Sequence, residues 1–237
     1  MRKGALIASV PALLAALAIV ALPGAGAAPS CLGRAPTIVD GPASANIHGT
    51  AGNDVIFAGD GNDTVAAGDG LDYVCGGNGN DTMDAGTGDD LMDGGEGNDE
   101  LHGYNGDDRV AGGPGEDFLD GRRGRTDELV AGGGDDRLIG GSLLKGGGGD
   151  DRLDSAGYRA ETGQDKLLGG AGNDRVVGDS QNGPGERLEG GAGDDEVRGL
   201  DGDDSLRGDD GDDDLDGGNG NDDCGQGAGS GAVTNCE

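Results

Sequence analysis

The chain is 237 residues long, with 57 glycines and only 2% aromatic residues, which leaves too little bulky apolar surface for a large conventional core. Sixteen Lys and Arg stand against 47 Asp and Glu, and the net charge of -31 excludes nucleic acid and anionic membranes as natural partners. A chain so acidic and so poor in aromatics stays unfolded unless a cation neutralises its carboxylates.

In chain order, Met1, Arg2 and Lys3 precede an apolar run over 5–22 and the small residues Ala25, Gly26 and Ala27. This pattern predicts a secretory signal peptide over 1–27, cut after Ala27, and hence a secreted protein, free or held at the cell surface, without a membrane span once cut. Residues 28–48 carry Pro29, Pro36 and Pro42 and are expected to form an N-terminal cap with one strand at 37–39.

Over 49–120 one nine-residue unit is written eight times without a gap. Position four is always glycine (Gly52, Gly61, Gly70, Gly79, Gly88, Gly97, Gly106, Gly115). Position six is always aspartate: Asp54, Asp63, Asp72, Asp81, Asp90, Asp99, Asp108 and Asp117. Position eight is always aliphatic, from Ile56 to Leu119. The unit continues less regularly to 225, with position-six aspartates at Asp127, Asp136, Asp151, Asp165, Asp174, Asp195, Asp204, Asp213 and Asp222.

Interruptions fall at 140–145, a short unit without aspartate, at 155–159, and at 178–189. In the last of these Gly185 and Leu188 fit but Glu186 and Arg187 stand where the aspartate belongs, so an outward bulge without an ion is expected. An arginine cluster at Arg122, Arg123 and Arg125 is the one local inversion of charge, read as an exposed loop offsetting nearby acids. Residues 226–237 are expected to form a C-terminal cap.

Within a unit the last three residues read as a minimal strand, with position eight inward and positions seven and nine outward, and the first six as a glycine-rich turn. Calcium takes six to eight oxygens from carboxylates and carbonyls. A tight turn that bares its carbonyls and ends in a fixed aspartate offers both. One turn supplies too few, so ions should lie between stacked turns, each touching two position-six aspartates. With seventeen aspartate-bearing units, roughly ten to fifteen ions would cancel most of the charge, and folding would be coupled to binding.

Four cysteines in an exported chain allow three pairings. Cys31 and Cys75 flank the start of the array and Cys224 and Cys236 its end, so spacing favours Cys31 with Cys75 and Cys224 with Cys236.

The unit matches the G-G-x-G-x-D-x-U-x nonapeptide, and about three quarters of the chain resembles the RTX (repeats-in-toxin) family of haemolysin-type calcium-binding repeats. The whole also resembles exported, repeat-only calcium-binding proteins of actinobacteria. The resemblance implies an all-β fold, a right-handed parallel β-roll or β-helix solenoid with two repeats per coil. It also implies multiple Ca2+ ions between turns on one side, with Asp54 sharing an ion with Asp72 and Asp63 with Asp81.

Competing signals have simpler readings. Asp212, Asp214, Asp216 and Gly217 begin like an EF-hand loop, but Asp223 stands where glutamate belongs and no amphipathic helix flanks it. Asn62 and Asn80 head glycosylation sequons but occupy the turn column. His48 and His102 are far apart in sequence and read as surface histidines, not a transition-metal site. The sequence has no G-x-S-x-G and no stretch outside the repeats that could form a catalytic domain, so no enzyme is expected; a hydrolase is the remote alternative. The nearer alternative is an adhesion module whose inserted loops contact an unknown protein or glycan.

Overall fold

The computed structural model describes residues 30–121, 124, 126–155, 165–180 and 185–237. The signal peptide expected over 1–27, Arg122, Arg123 and Arg125, residues 156–159 of the second interruption and 181–184 of the third lie outside the described residues.

The described chain is all-β, a parallel solenoid of two sheets with eleven strands each. Odd-numbered strands in chain order form one sheet and even-numbered strands the other, each paired in parallel with the strand two further on. Val55 therefore pairs with Tyr73, and Thr64 with Thr82. One coil is two nonapeptides, and residues 18 apart stack.

The strands are longer than a three-residue reading allows. Thr82–Thr87, for instance, covers positions seven to nine of one unit and one to three of the next, leaving positions four to six as the turn. Alternation then buries two columns, Met83 at position eight and Ala85 at position one, both 0% exposed. Position eight forms the core line from Ile47 to Leu215, each side chain gaining about 2 kcal/mol over exposure.

Position one is restricted to small residues by its surroundings, and at some coils to glycine. A methyl carbon placed on Gly76 would stand 2.2 Å from Asp81 Oδ2 and 2.5 Å from the Gly94 carbonyl oxygen. The first six positions looked like turn because glycine disfavours strand locally; the parallel ladder overrides that preference.

Both ends also fold as coils. Residues 28–48, expected to hold one strand, hold two, Ile38–Val39 and Asn46–His48, in register with Ile56–Phe57 and Thr64–Ala66. Ile38, Ile47 and Ile56 are nine residues apart, a signal the prolines obscure. At the other end Val233–Thr234 pairs with Leu215–Asp216. Cys31 is bonded to Cys75 and Cys224 to Cys236.

The interruptions leave the ladder intact. The short unit at 140–145 keeps its strand, Leu143–Gly148, and buries Leu144. Leu143 pairs with Glu128 and Lys166, and Lys166 with Arg187, so successive coils of 15, 23 and 21 residues share one pitch.

Position two holds φ near +115° where it is glycine, as at Gly59 (113°) and Gly77 (120°). Tyr104 (68°), Leu200 (77°) and Asp209 (75°) also stand at position two and accept the left-handed conformation at a cost of about 1 kcal/mol each. Leu200→Gly should raise the unfolding free energy at saturating calcium by about 1 kcal/mol. Gly77→Ala, whose Cβ would meet the Gly59 carbonyl oxygen at 2.0 Å, should lower it by more. Urea unfolding of both variants checks the pair, and a destabilised Leu200→Gly would contradict the strain.

Candidate metal centre: two columns of buried carboxylates

Position six ends each turn, where the chain swings from one sheet into the other. Stacking every second unit arranges these residues in two columns. One holds Asp54, Asp72, Asp90, Asp108, Asp127, then Ser142, Asp165, Glu186, Asp204 and Asp222. The other holds Asp63, Asp81, Asp99, Asp117, Asp136, Asp151, Asp174, Asp195 and Asp213. Every aspartate in both columns, and Glu186, is at most 7% exposed.

The columns are built by one repeated bond. In the regular coils the amide of one aspartate donates to Oδ1 of the aspartate one coil later: Asp54 to Asp72 at 2.8 Å, Asp63 to Asp81 at 2.8 Å, Asp99 to Asp117 at 2.8 Å. The bond survives the irregular coils, from Asp136 to Asp151 and from Asp151 to Asp174. Oδ1 is therefore satisfied. Oδ2 is not: it is buried and without a hydrogen-bond partner in fifteen aspartates, from Asp63 to Asp222.

A buried polar atom left unpaired costs roughly 1–3 kcal/mol, and more when charged. Fifteen such atoms exceed the net stability of about 5–15 kcal/mol that folded proteins possess. A ligand must supply the missing interaction, and its chemistry is fixed by its neighbours. The same pair of oxygens as at Gly76 borders other position-one glycines: a methyl carbon placed on Gly94 would meet Asp99 Oδ2 at 2.3 Å and the Gly112 carbonyl oxygen at 2.7 Å, and one on Gly169 would meet Asp174 Oδ2 at 2.3 Å and the Gly190 carbonyl oxygen at 2.5 Å. Carboxylate and carbonyl oxygens side by side, with no donor, fit a hard cation that takes oxygen ligands.

Asp54 departs from the pattern. Its Oδ2 accepts from Thr50 N at 2.7 Å and Thr50 Oγ1 at 2.9 Å, so the first aspartate of its column is satisfied locally.

Burial governs the acidity of the columns. Desolvation, with like charge from neighbouring aspartates added to it, pushes Asp90, Asp99, Asp127, Asp136, Asp151 and Asp195 up to about 7. Asp81, Asp108, Asp165 and Asp174 rise to about 6, chiefly through burial.

Sequence reading missed three sets of residues. Position one closes the inner wall, as described above. Position five carries a second ladder, in which Asn80 N donates to Asn62 Oδ1 at 3.0 Å and Asn98 N to Asn80 Oδ1 at 3.1 Å. The recurrence of Asn and Asp at that position was its signal, and it places both sequon asparagines in structural bonds. Glu186, expected in an outward bulge, instead stands in the column, its amide donating to Asp204 Oδ1 at 2.7 Å. In the sequence Glu186 stands at the aspartate position, but the glutamate reads as a mismatch.

The EF-hand look-alike does not form that loop: Asp214 and Asp216 lie on the outer face of strand Asp214–Asn219, while Asp213 points inward. His102 is half-buried on the outer face beside Glu100 and Asp120.

A carboxyl whose folded pKa lies above its ordinary 3.8 binds protons that the unfolded chain has released. The metal-free fold thus gains stability from these groups at low pH and loses it as pH rises through about 6–7. A cation competes with those protons, so the calcium concentration at the folding midpoint should fall as pH rises from 5 to 8. Circular dichroism titrations at several pH values measure it; a pH-independent midpoint would contradict the assignment of the columns.

A family model for the RTX calcium-binding nonapeptide repeat, in four copies, matches residues 44–74, 72–101, 84–119, 93–126, 124–142, 143–157, 158–183 and 189–224. No curated protein matches the chain.

Proposed function

Since the chain belongs to the RTX calcium-binding nonapeptide repeat family, we propose that it is an exported, non-enzymatic protein that folds by binding many calcium ions and serves a structural role outside the cell or on its surface. The observation that carries this reading is the run of buried, unpartnered Oδ2 atoms in two columns. Each is a ligand atom, and the column aspartates are the proposed ligands together with the carbonyls of the adjoining position-one residues.

Charge supports the same reading. The net charge of -31 is concentrated in a thin solenoid, and divalent ions between turns would remove most of the repulsion that otherwise keeps the chain open. Two disulfides support an oxidising, extracellular location. Among the described residues no helix is long and apolar enough to cross a membrane.

Folding and binding are then one equilibrium. In chelator the chain should lack β-structure, and it should regain it cooperatively at roughly millimolar calcium, the range of extracellular modules. Asp99→Asn, in mid-column, should lower stability at saturating calcium by about 3 kcal/mol, because it leaves buried partner oxygens uncompensated. Circular dichroism with an ion count on the folded protein tests both. A spectrum unchanged by chelator would overturn the coupling.

A further inference from the structure

We propose that Asp165, Asp179 and Glu186 form a calcium site of their own, distinct from the repeating cradles because three carboxylates converge on it. Each offers an oxygen, and the three oxygens lie within 4.8 Å of one another. Two of the three residues are nearly inaccessible: Asp165 is 6% and Glu186 7% exposed.

The irregular coils create the site. In the regular array each column aspartate receives the amide of the coil before. Asp165 does not, because the shortened coil before it places Ser142 in that role, and the Ser142 amide turns back to the Asp127 carbonyl at 3.0 Å. Asp165 Oδ1 is left buried and without a partner. No hydrogen bond from a described residue reaches its carboxylate.

Glu186 is held facing it. Its Oε1 accepts from the buried Ser155 Oγ at 3.0 Å and its Oε2 from Asp179 N at 2.9 Å. The extra methylene carries the carboxylate to the Asp179 amide while the Glu186 amide keeps the column bond to Asp204. A methyl carbon on Gly178 would stand 2.0 Å from Glu186 Oε2 and 2.6 Å from the Gly199 carbonyl oxygen, so a carbonyl of the cradle type adjoins the site.

Among the described residues no cationic side chain pairs with Asp165 or Glu186. Three carboxylates this close repel one another strongly in a buried site, and a divalent cation relieves all three at once. The oxygen-only donor set, with carboxylates from three separate points of the chain, suits calcium better than magnesium, which demands near-ideal octahedral geometry. The proposal rests on the calcium reading for the identity of the ion.

The test is an ion count by native mass spectrometry of the full exported chain at saturating calcium, with folding followed by circular dichroism. Asp179→Asn and Glu186→Gln should each carry one calcium fewer than wild type and lose the ion slowest to leave in a chelator chase. Asp209→Asn, an exposed acid on the strand Ser205–Asp210, should keep the wild-type count and chase. If Glu186→Gln fails to fold, Asp179→Asn, at the half-exposed rim, decides alone. Variants with the wild-type count and the same slowest ion would overturn this site while leaving the column reading intact. A wild type that binds no calcium would overturn both.

Discussion

The structure depends on a carboxylate that is buried with only half of its hydrogen-bonding capacity used. In the regular coils a column aspartate spends Oδ1 on the amide of the neighbouring coil, as in the bond from Asp81 N to Asp99 Oδ1, and leaves Oδ2 buried without a partner. The first bond fixes the stacking of coils, and the second oxygen is tolerable only beside a cation. Assembly and ion binding therefore act through the two atoms of one functional group, and neither can be altered without the other.

Neighbouring turns are held from both directions. At position six the earlier coil donates to the later one; at position five the later coil donates to the earlier, as Asp150 N does to Asp135 Oδ1. The two ladders satisfy successive turn amides, one above and one below, so that a segment only three residues long has no free backbone donor at these places. This explains why the turn is rich in Asn and Asp and not merely in glycine.

Much of this was legible in the sequence. Positions four, six and eight each demand one residue type for one physical reason, so the period, the inward core and the aspartate columns can be read directly from Gly52, Asp54 and Ile56 onward. Position one was hidden because its Ala and Gly residues read locally as part of the glycine-rich turn, and only the stacked coils place it beside a buried carboxylate such as Asp81 Oδ2. Six-residue strands were hidden because their second halves are glycine-rich and gain their extended form from tertiary pairing. Glu186 was discounted because the column reads as demanding aspartate, and the insertion before it suggests a bulge although the register of Arg187 on Lys166 is unbroken. Pitch in this fold is set by the sheet ladder and not by contour length, so coils of 15 and 23 residues rise equally.

The positions of the two disulfides have a consequence for how such a stack comes apart. In a linear array a terminal coil has one neighbour instead of two, and opening ordinarily begins there. Here Cys31–Cys75 ties the first coil back across 44 residues, and Cys224–Cys236 ties the last across 12, constraints worth about 4 and 3 kcal/mol by loop length. With both ends clamped, the cheapest rupture moves inward, to the short coil between Asp127 and Ser142, where the Ser142 amide turns back to the Asp127 carbonyl and the aspartate ladder is interrupted. The molecule is a strip reinforced at its hems, whose seam lies in the middle.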